Sequence, residues 1–194
     1  MSSFWRNRGI FGLYVLSLMR PGHPPPVHFS AFPPAGDVTS WTESDIDTLI
    51  HVGERQMDRV LGEVDTIRLR AQVGFTTALL LNGFIASQLP VIRTHAKWII
   101  ALYSVAWLCT FMGLVGCLAC FIIQIRVGTI SAHTLSNYGS DSASVRSQLA
   151  QDYVGIATDN QATRDSLLTV LRESMLWLTV GAAGEALAWL IIQL

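Results

Sequence analysis

From Trp98 to Ile125 the sequence carries no charged side chain over twenty-eight consecutive residues. A spanning helix needs about twenty predominantly apolar residues. Inside hydrocarbon every backbone N–H and C=O must be bonded within the protein, so such a run is a helix. At ~1.5 Å per residue it is about 42 Å long against a hydrocarbon core of ~30 Å, so it tilts or projects beyond the bilayer. Two further runs behave alike. Val73–Ile92 is uncharged, and Met175–Leu194 is broken by a single charge, Glu185. The predicted fold class is therefore an all-α integral membrane protein with about three transmembrane helices.

The rest of the composition agrees. Charged residues make up 14% of the 194 residues, where soluble domains have about 25%. With a formal net charge of −1, there is no basic excess to support nucleic-acid binding. Cys109, Cys117 and Cys120 lie in the longest apolar run with no His or acid at ligand spacing, which points to packing residues and not to a metal site. His23, His28, His51, His95 and His133 are scattered. The sequence has no nucleophile elbow, phosphate loop, paired-carboxylate pattern or HExxH, so no catalytic residue, metal or cofactor is assigned and the chain is not read as an enzyme.

Five segments follow. In residues 1–39, Arg6 and Arg8 precede an apolar stretch from Gly9 to Met19. It is too short to span and no small-x-small cleavage site follows, so an uncleaved interfacial or docking segment is expected over a signal peptide. Six of the seven prolines then fall within residues 21–36, an extended linker. In residues 40–72, Ser40 and Glu43 fit a capping box. Ile46, Ile50, Gly53, Met57, Val60, Val64, Ile67 and Ala71 recur at heptad spacing, the pattern of a coiled coil. With no breaker before Val73, this helix is expected to continue into the first span. Residues 73–126 form a transmembrane hairpin whose short link, Arg93–Lys97, makes its helices antiparallel neighbours. Residues 127–174 hold a Gly/Ser/Asn-containing loop and a second heptad helix, with its seam at Val145, Leu149, Tyr153, Ile156, Asn160, Thr163, Leu167 and Val170. Asn160 fixes register in that seam or marks a weak, partly exposed helix. Residues 175–194 are the third span.

Arginine and lysine placement orients the chain. Arg55, Arg59, Arg68 and Arg70 precede the first span, and Arg126, Arg146, Arg164 and Arg172 precede the third, against Arg93 and Lys97 between the first two. Both heptad helices then lie in the cytoplasm, where they are expected to bury their seams against each other as an antiparallel stalk.

Glu185 sits ten residues after Met175, and a charge at mid-bilayer costs ~2.5–3.5 kcal/mol. Asn82 falls at the same depth of the first span, so a carboxyl–amide hydrogen bond would satisfy both. The pair serves as interhelical glue or lines a water- or ion-conducting path. Small residues at helical spacing, Cys109, Gly113, Gly116 and Cys120 in the second span and Gly181, Gly184 and Ala188 in the third, let helices approach closely, within the chain or between copies.

The order of elements resembles small bacterial defence effectors: the transmembrane effectors of pyrimidine cyclic nucleotide (Pycsar) systems and the related SLATT proteins. VDTIRLRAQVGFTTALLLNG occupies the place of the helix-to-span junction, and LAQDYVGIATDNQATRDSLLTVLRESMLWLTVGAAGEAL that of the C-terminal helix and span. With the central hairpin, the resemblance covers about residues 41–194. It is one of architecture. Asp65 is followed by Thr66, Ile67 and Arg68 in place of lysine-alanine, and no ligand-binding residue is carried over. The resemblance implies an antiviral membrane effector of the bacterial cytoplasmic membrane. Its partners would be the lipid bilayer, further copies of the chain as a homo-oligomer, and a cytosolic protein or nucleotide trigger. A non-conducting membrane scaffold, docking a partner through its stalk and proline-rich N-terminus, fits the same pattern.

Overall fold

The computed structural model describes residues 3–20, 24, 27, 42–122 and 142–193. Described residues form four α-helices and no strand: α1 (Ser3–Met19), α2 (Glu43–Ile92), α3 (Lys97–Ile122) and α4 (Ser142–Gln193). Three of them, α2, α3 and α4, are long and apolar enough to cross a membrane. Most of the expected proline linker, residues 123–126 at the end of the second span, and the 128–140 loop lie outside the described residues. The chain divides into two compact units.

Unit 2 comprises residues 25–65 and 125–166 and contains the first halves of α2 and α4. Helix α2 starts at Glu43, and the Ser40 expected as its cap lies outside the described residues. Its cap is Thr42: the Thr42 hydroxyl accepts from Asp45 N–H at 3.3 Å, and Thr42 N–H donates to Asp45 Oδ2 at 3.2 Å. This is the reciprocal pairing of a capping box with aspartate in the third position. Glu43 is instead ion-paired with Arg146 of α4. Val60 and Val64 are each 2% exposed and Asn160 is 1% exposed, so the polar seam residue is buried and α4 is not loosened there.

The two helices are parallel, which corrects the antiparallel stalk expected above. Arg146 meets Glu43, Tyr153 Oη donates to Glu54 at 3.5 Å, and Arg164 Nη1 donates to Glu63 at 2.8 Å, at sequence separations of 103, 99 and 101. A nearly constant separation means that both helices advance together. The physical reason is continuity: α2 and α4 each run unbroken into an apolar segment, and both of those segments lie antiparallel to α3. At Gly53 the pair closes tightly, and a Cβ there would stand 3.0 Å from Tyr153 Cβ. Glu63 is shared between Arg164 and Arg59, which donates from Nε at 3.0 Å. The Arg164 and Arg59 guanidiniums hold its carboxyl below the usual carboxylate range.

Unit 1 comprises residues 1–24, 66–124 and 167–194. Here α3 is the central helix: 44% of its most apolar window is buried, against 17% in α2 and 22% in α4. It runs antiparallel to both neighbours, with Ala78, Cys117 and Leu178 forming one cluster and Ile85, Ile92, Tyr103 and Ala188 another. The α2–α3 turn is closed by its own side chains. Pro90 stands in the last turn of α2, and Thr94 Oγ1 donates to the Val91 carbonyl at 2.6 Å beyond it. Helix α1 packs on α3, placing the Phe11 ring at Gly116 and the Arg8 guanidinium 5.4 Å from the Trp177 ring. The N-terminal apolar stretch is thus a docked helix, with Tyr14 only 1% exposed.

Two outcomes test this arrangement. Reversing one charge (Glu63→Arg or Arg164→Glu) lowers thermal stability in detergent by about 1 kcal/mol, and combining the two recovers most of it. An antiparallel pair would show no recovery. Because the folded pKa of Glu63 is depressed, its contribution is complete above the unfolded carboxylate pKa of about 4.3 and disappears as pH falls through the lowered folded value. Thermal unfolding of Glu63→Gln therefore falls less steeply at acid pH than that of the wild type.

Candidate functional site

The site is built on the contact between α3 and α4. Along α4 the inward positions are Leu167, Val170, Ser174, Leu178, Gly181, Glu185 and Ala188, all buried. Glycine makes the approach close. A Cβ at Gly113 would stand 2.9 Å from the Ser174 carbonyl oxygen, and one at Gly181 would stand 2.8 Å from Thr110 N and 2.9 Å from the Ala106 carbonyl oxygen. Those are backbone atoms, which cannot turn aside as a side chain can. Gly116 is covered by Ser174 and Phe11, and Gly184 faces Ala106. Cys120 Sγ lies 3.8 Å from the Leu167 carbonyl oxygen, Cys109 is buried as a free thiol, and Ala188 belongs to the Tyr103 cluster. The small residues therefore sit inside unit 1, with Gly113, Gly116, Gly181 and Gly184 forming the α3–α4 contact.

The same periodicity carries Glu185 into the seam, where it is 7% exposed. It is one helical turn beyond Gly181, on the face of α4 that meets Ala106 and Thr110 of α3. The expected hydrogen bond between Glu185 and Asn82 is not formed. Asn82 Nδ2 donates to the Ala78 carbonyl of its own helix at 2.8 Å, which satisfies that donor locally. What remains on each side is an acceptor: Glu185 Oε1 and Asn82 Oδ1 are both buried and have no hydrogen-bond partner among the described residues. The Thr110 hydroxyl donates to the Trp107 carbonyl at 2.8 Å, and Tyr103 Oη donates to the Ile85 carbonyl at 3.3 Å. The neighbouring hydroxyls are thus engaged with backbone carbonyls.

This arrangement can accept a proton, a cation or a hydrogen-bond donor from outside the chain. It has no nucleophile paired with a base. Among the described residues no group of three or more His, Cys, Asp or Glu side chains is placed to hold a metal. Sequence reasoning missed Thr110, Tyr103 and Ser174. Ser174 falls at the boundary between the 127–174 and 175–194 segments, although its spacing of four from Val170 and from Leu178 continues the seam. Thr110 follows Cys109 in the small-residue stripe and could have been read with it.

In comparisons with protein-family models, curated proteins and solved structures, nothing matches this chain.

Two substitutions follow from the packing. Gly113→Ala and Gly181→Ala each destabilise the detergent-solubilised protein by about 1–3 kcal/mol through overpacking. Gly83→Ala, with nothing within 4 Å of the new Cβ, does not. Glu185→Leu raises thermal stability, because an apolar side chain of similar size replaces a buried carboxyl of which Oε1 has no hydrogen-bond partner among the described residues.

Proposed function

We propose that the chain is a small oligomeric membrane effector that perturbs or permeabilises the bilayer, under control of the paired helices of unit 2. One observation supports the reading above the others. Glu185 occupies a seam otherwise made of Leu, Val, Ser, Gly and Ala, and one of its oxygens finds no donor among the described residues. An ionisable residue placed in an apolar span costs ~2.5–3.5 kcal/mol and is retained where it serves a path or a partner. Within one chain the α3–α4 seam is closed by glycine contacts and Glu185 is buried in it, so in this reading the trigger opens that seam and exposes the Glu185 acceptor to a path for ions. The basic residues flanking the apolar runs support a cytoplasmic unit 2 in this reading, and the resemblance in element order supports the bacterial cytoplasmic membrane as its location. The trigger in this reading is a cytosolic protein or nucleotide that acts on unit 2.

The closed glycine seam also favours a second reading, a non-conducting scaffold that holds unit 2 at the membrane for a partner. Inducible expression in bacteria, read with a membrane-potential dye at matched protein levels, separates the two. Wild-type protein depolarises the membrane, Glu185→Leu does not, and Val60→Pro, which breaks α2 in its seam at a cost of about 3 kcal/mol, does not. A wild-type protein that reaches the membrane and leaves the potential unchanged under every inducing condition establishes the scaffold.

A further inference from the structure

Within unit 1, α2 and α4 leave an open groove of about 640 Å³ between them. It lies where each helix turns apolar: Arg70 stands three residues before Val73, and Arg172 three residues before Met175. Both arginines line the groove, together with Leu69, Val73, Leu168 and Met175. Leu69 is 64% exposed and Val73 is 68% exposed, so an apolar wall is left uncovered beside two cations. Neither guanidinium has an ion-pair or hydrogen-bond partner among the described residues. Arg59, Arg146 and Arg164, by contrast, are each bonded to a carboxylate.

The chemistry of the groove selects its occupant. A small anion would meet the arginines and leave Leu69 and Val73 bare. A purely apolar segment would cover the leucines and bury two unpaired cations, at a high desolvation cost. An amphiphile with a negative head and a hydrocarbon tail satisfies both at once. Two basic residues at the boundary of a spanning helix also stand at headgroup depth, where each attracts an anionic lipid surface. We propose that this groove is a binding site for an anionic glycerophospholipid of the bilayer, its phosphate held between Arg70 and Arg172 and an acyl chain laid along Val73 and Met175. The assignment rests on reading α2 and α4 as membrane-crossing helices, and not on any conducting activity.

The test uses the purified full-length chain in nanodiscs of phosphatidylcholine containing an equal small fraction of either phosphatidylglycerol or further phosphatidylcholine. Lipid retained after transfer to detergent is read by native mass spectrometry. Phosphatidylglycerol is retained in preference to phosphatidylcholine. That preference falls roughly fivefold for Arg70→Gln or Arg172→Gln and more for the double variant, and it weakens as salt is raised. Val73→Ser, which keeps both charges, also lowers retention. Equal retention by the double variant overturns the site. So does full competition by glycerol 3-phosphate, which would mark an anion site with no use for the acyl chain. A lipid-independent dimer lost on Val73→Ser would show that a second copy covers the groove, and overturns it as well. A chain that fails to enter phosphatidylcholine nanodiscs at all overturns the membrane reading itself. One that enters and shows no lipid preference overturns the groove assignment alone.

Discussion

Two helix backbones in contact, at Gly113 and Gly181, decide what the rest of unit 1 can be. Between apolar helices in a bilayer no hydrophobic force drives association, and attraction comes from van der Waals packing and interhelical hydrogen bonds. Both need proximity. With Ala106 and Thr110 of α3 set directly against Gly181 of α4, the two helices share a dense seam. Everything one turn away inherits that geometry. Glu185 is buried because it follows Gly181 by one turn, not because its own chemistry favours the place. The site and the packing are one construction.

The parallel run of α2 and α4 in unit 2 has a different basis. Its contacts are ionic at the rim, Glu43 with Arg146 and Glu63 with Arg164, and apolar or small in the seam. Exposed ion pairs contribute little each, but a ladder of them at nearly constant separation discriminates against a slipped register, since a shift would set like charges side by side. Asn160 adds a polar group to a seam otherwise rich in Val, Ile, Leu and Ala, where register is enforced by the penalty for leaving it unsatisfied.

Much of this was legible in the amino-acid order. The heptad positions of α2 from Ile46 to Ala71 are its inward face, because burial on one side of a long helix imposes a period that composition alone displays. The apolar runs marked three helices fit to span, because hydrocarbon admits no other reading. What failed were choices between near-equivalent partners. Ser40–Glu43 and Thr42–Asp45 both satisfy the capping-box pattern, and only backbone geometry selects the second. Asn82 and Glu185 share a depth, but depth does not reveal azimuth around the helix, and the Asn82 amide found its own Ala78 carbonyl first. The antiparallel stalk overlooked a constraint that was available. Each heptad helix runs without a breaker into an apolar segment, and that continuity already sets its direction.

The burial of α3 has a consequence for how the protein is made. The helix best suited to enter a membrane alone is the one least exposed once unit 1 is complete, whereas α4 brings a carboxyl with it. In the proposed membrane reading, the hairpin of α2 and α3, with no charge within its apolar segments, inserts without help from α4. Helix α4, which follows α3 in the chain, then meets a surface at Ala106 and Thr110 on which its glycines lie and Glu185 is sheltered. In that reading the order of these helices is also a workable order of insertion, in which the segment that is hardest to place arrives after its shelter is built.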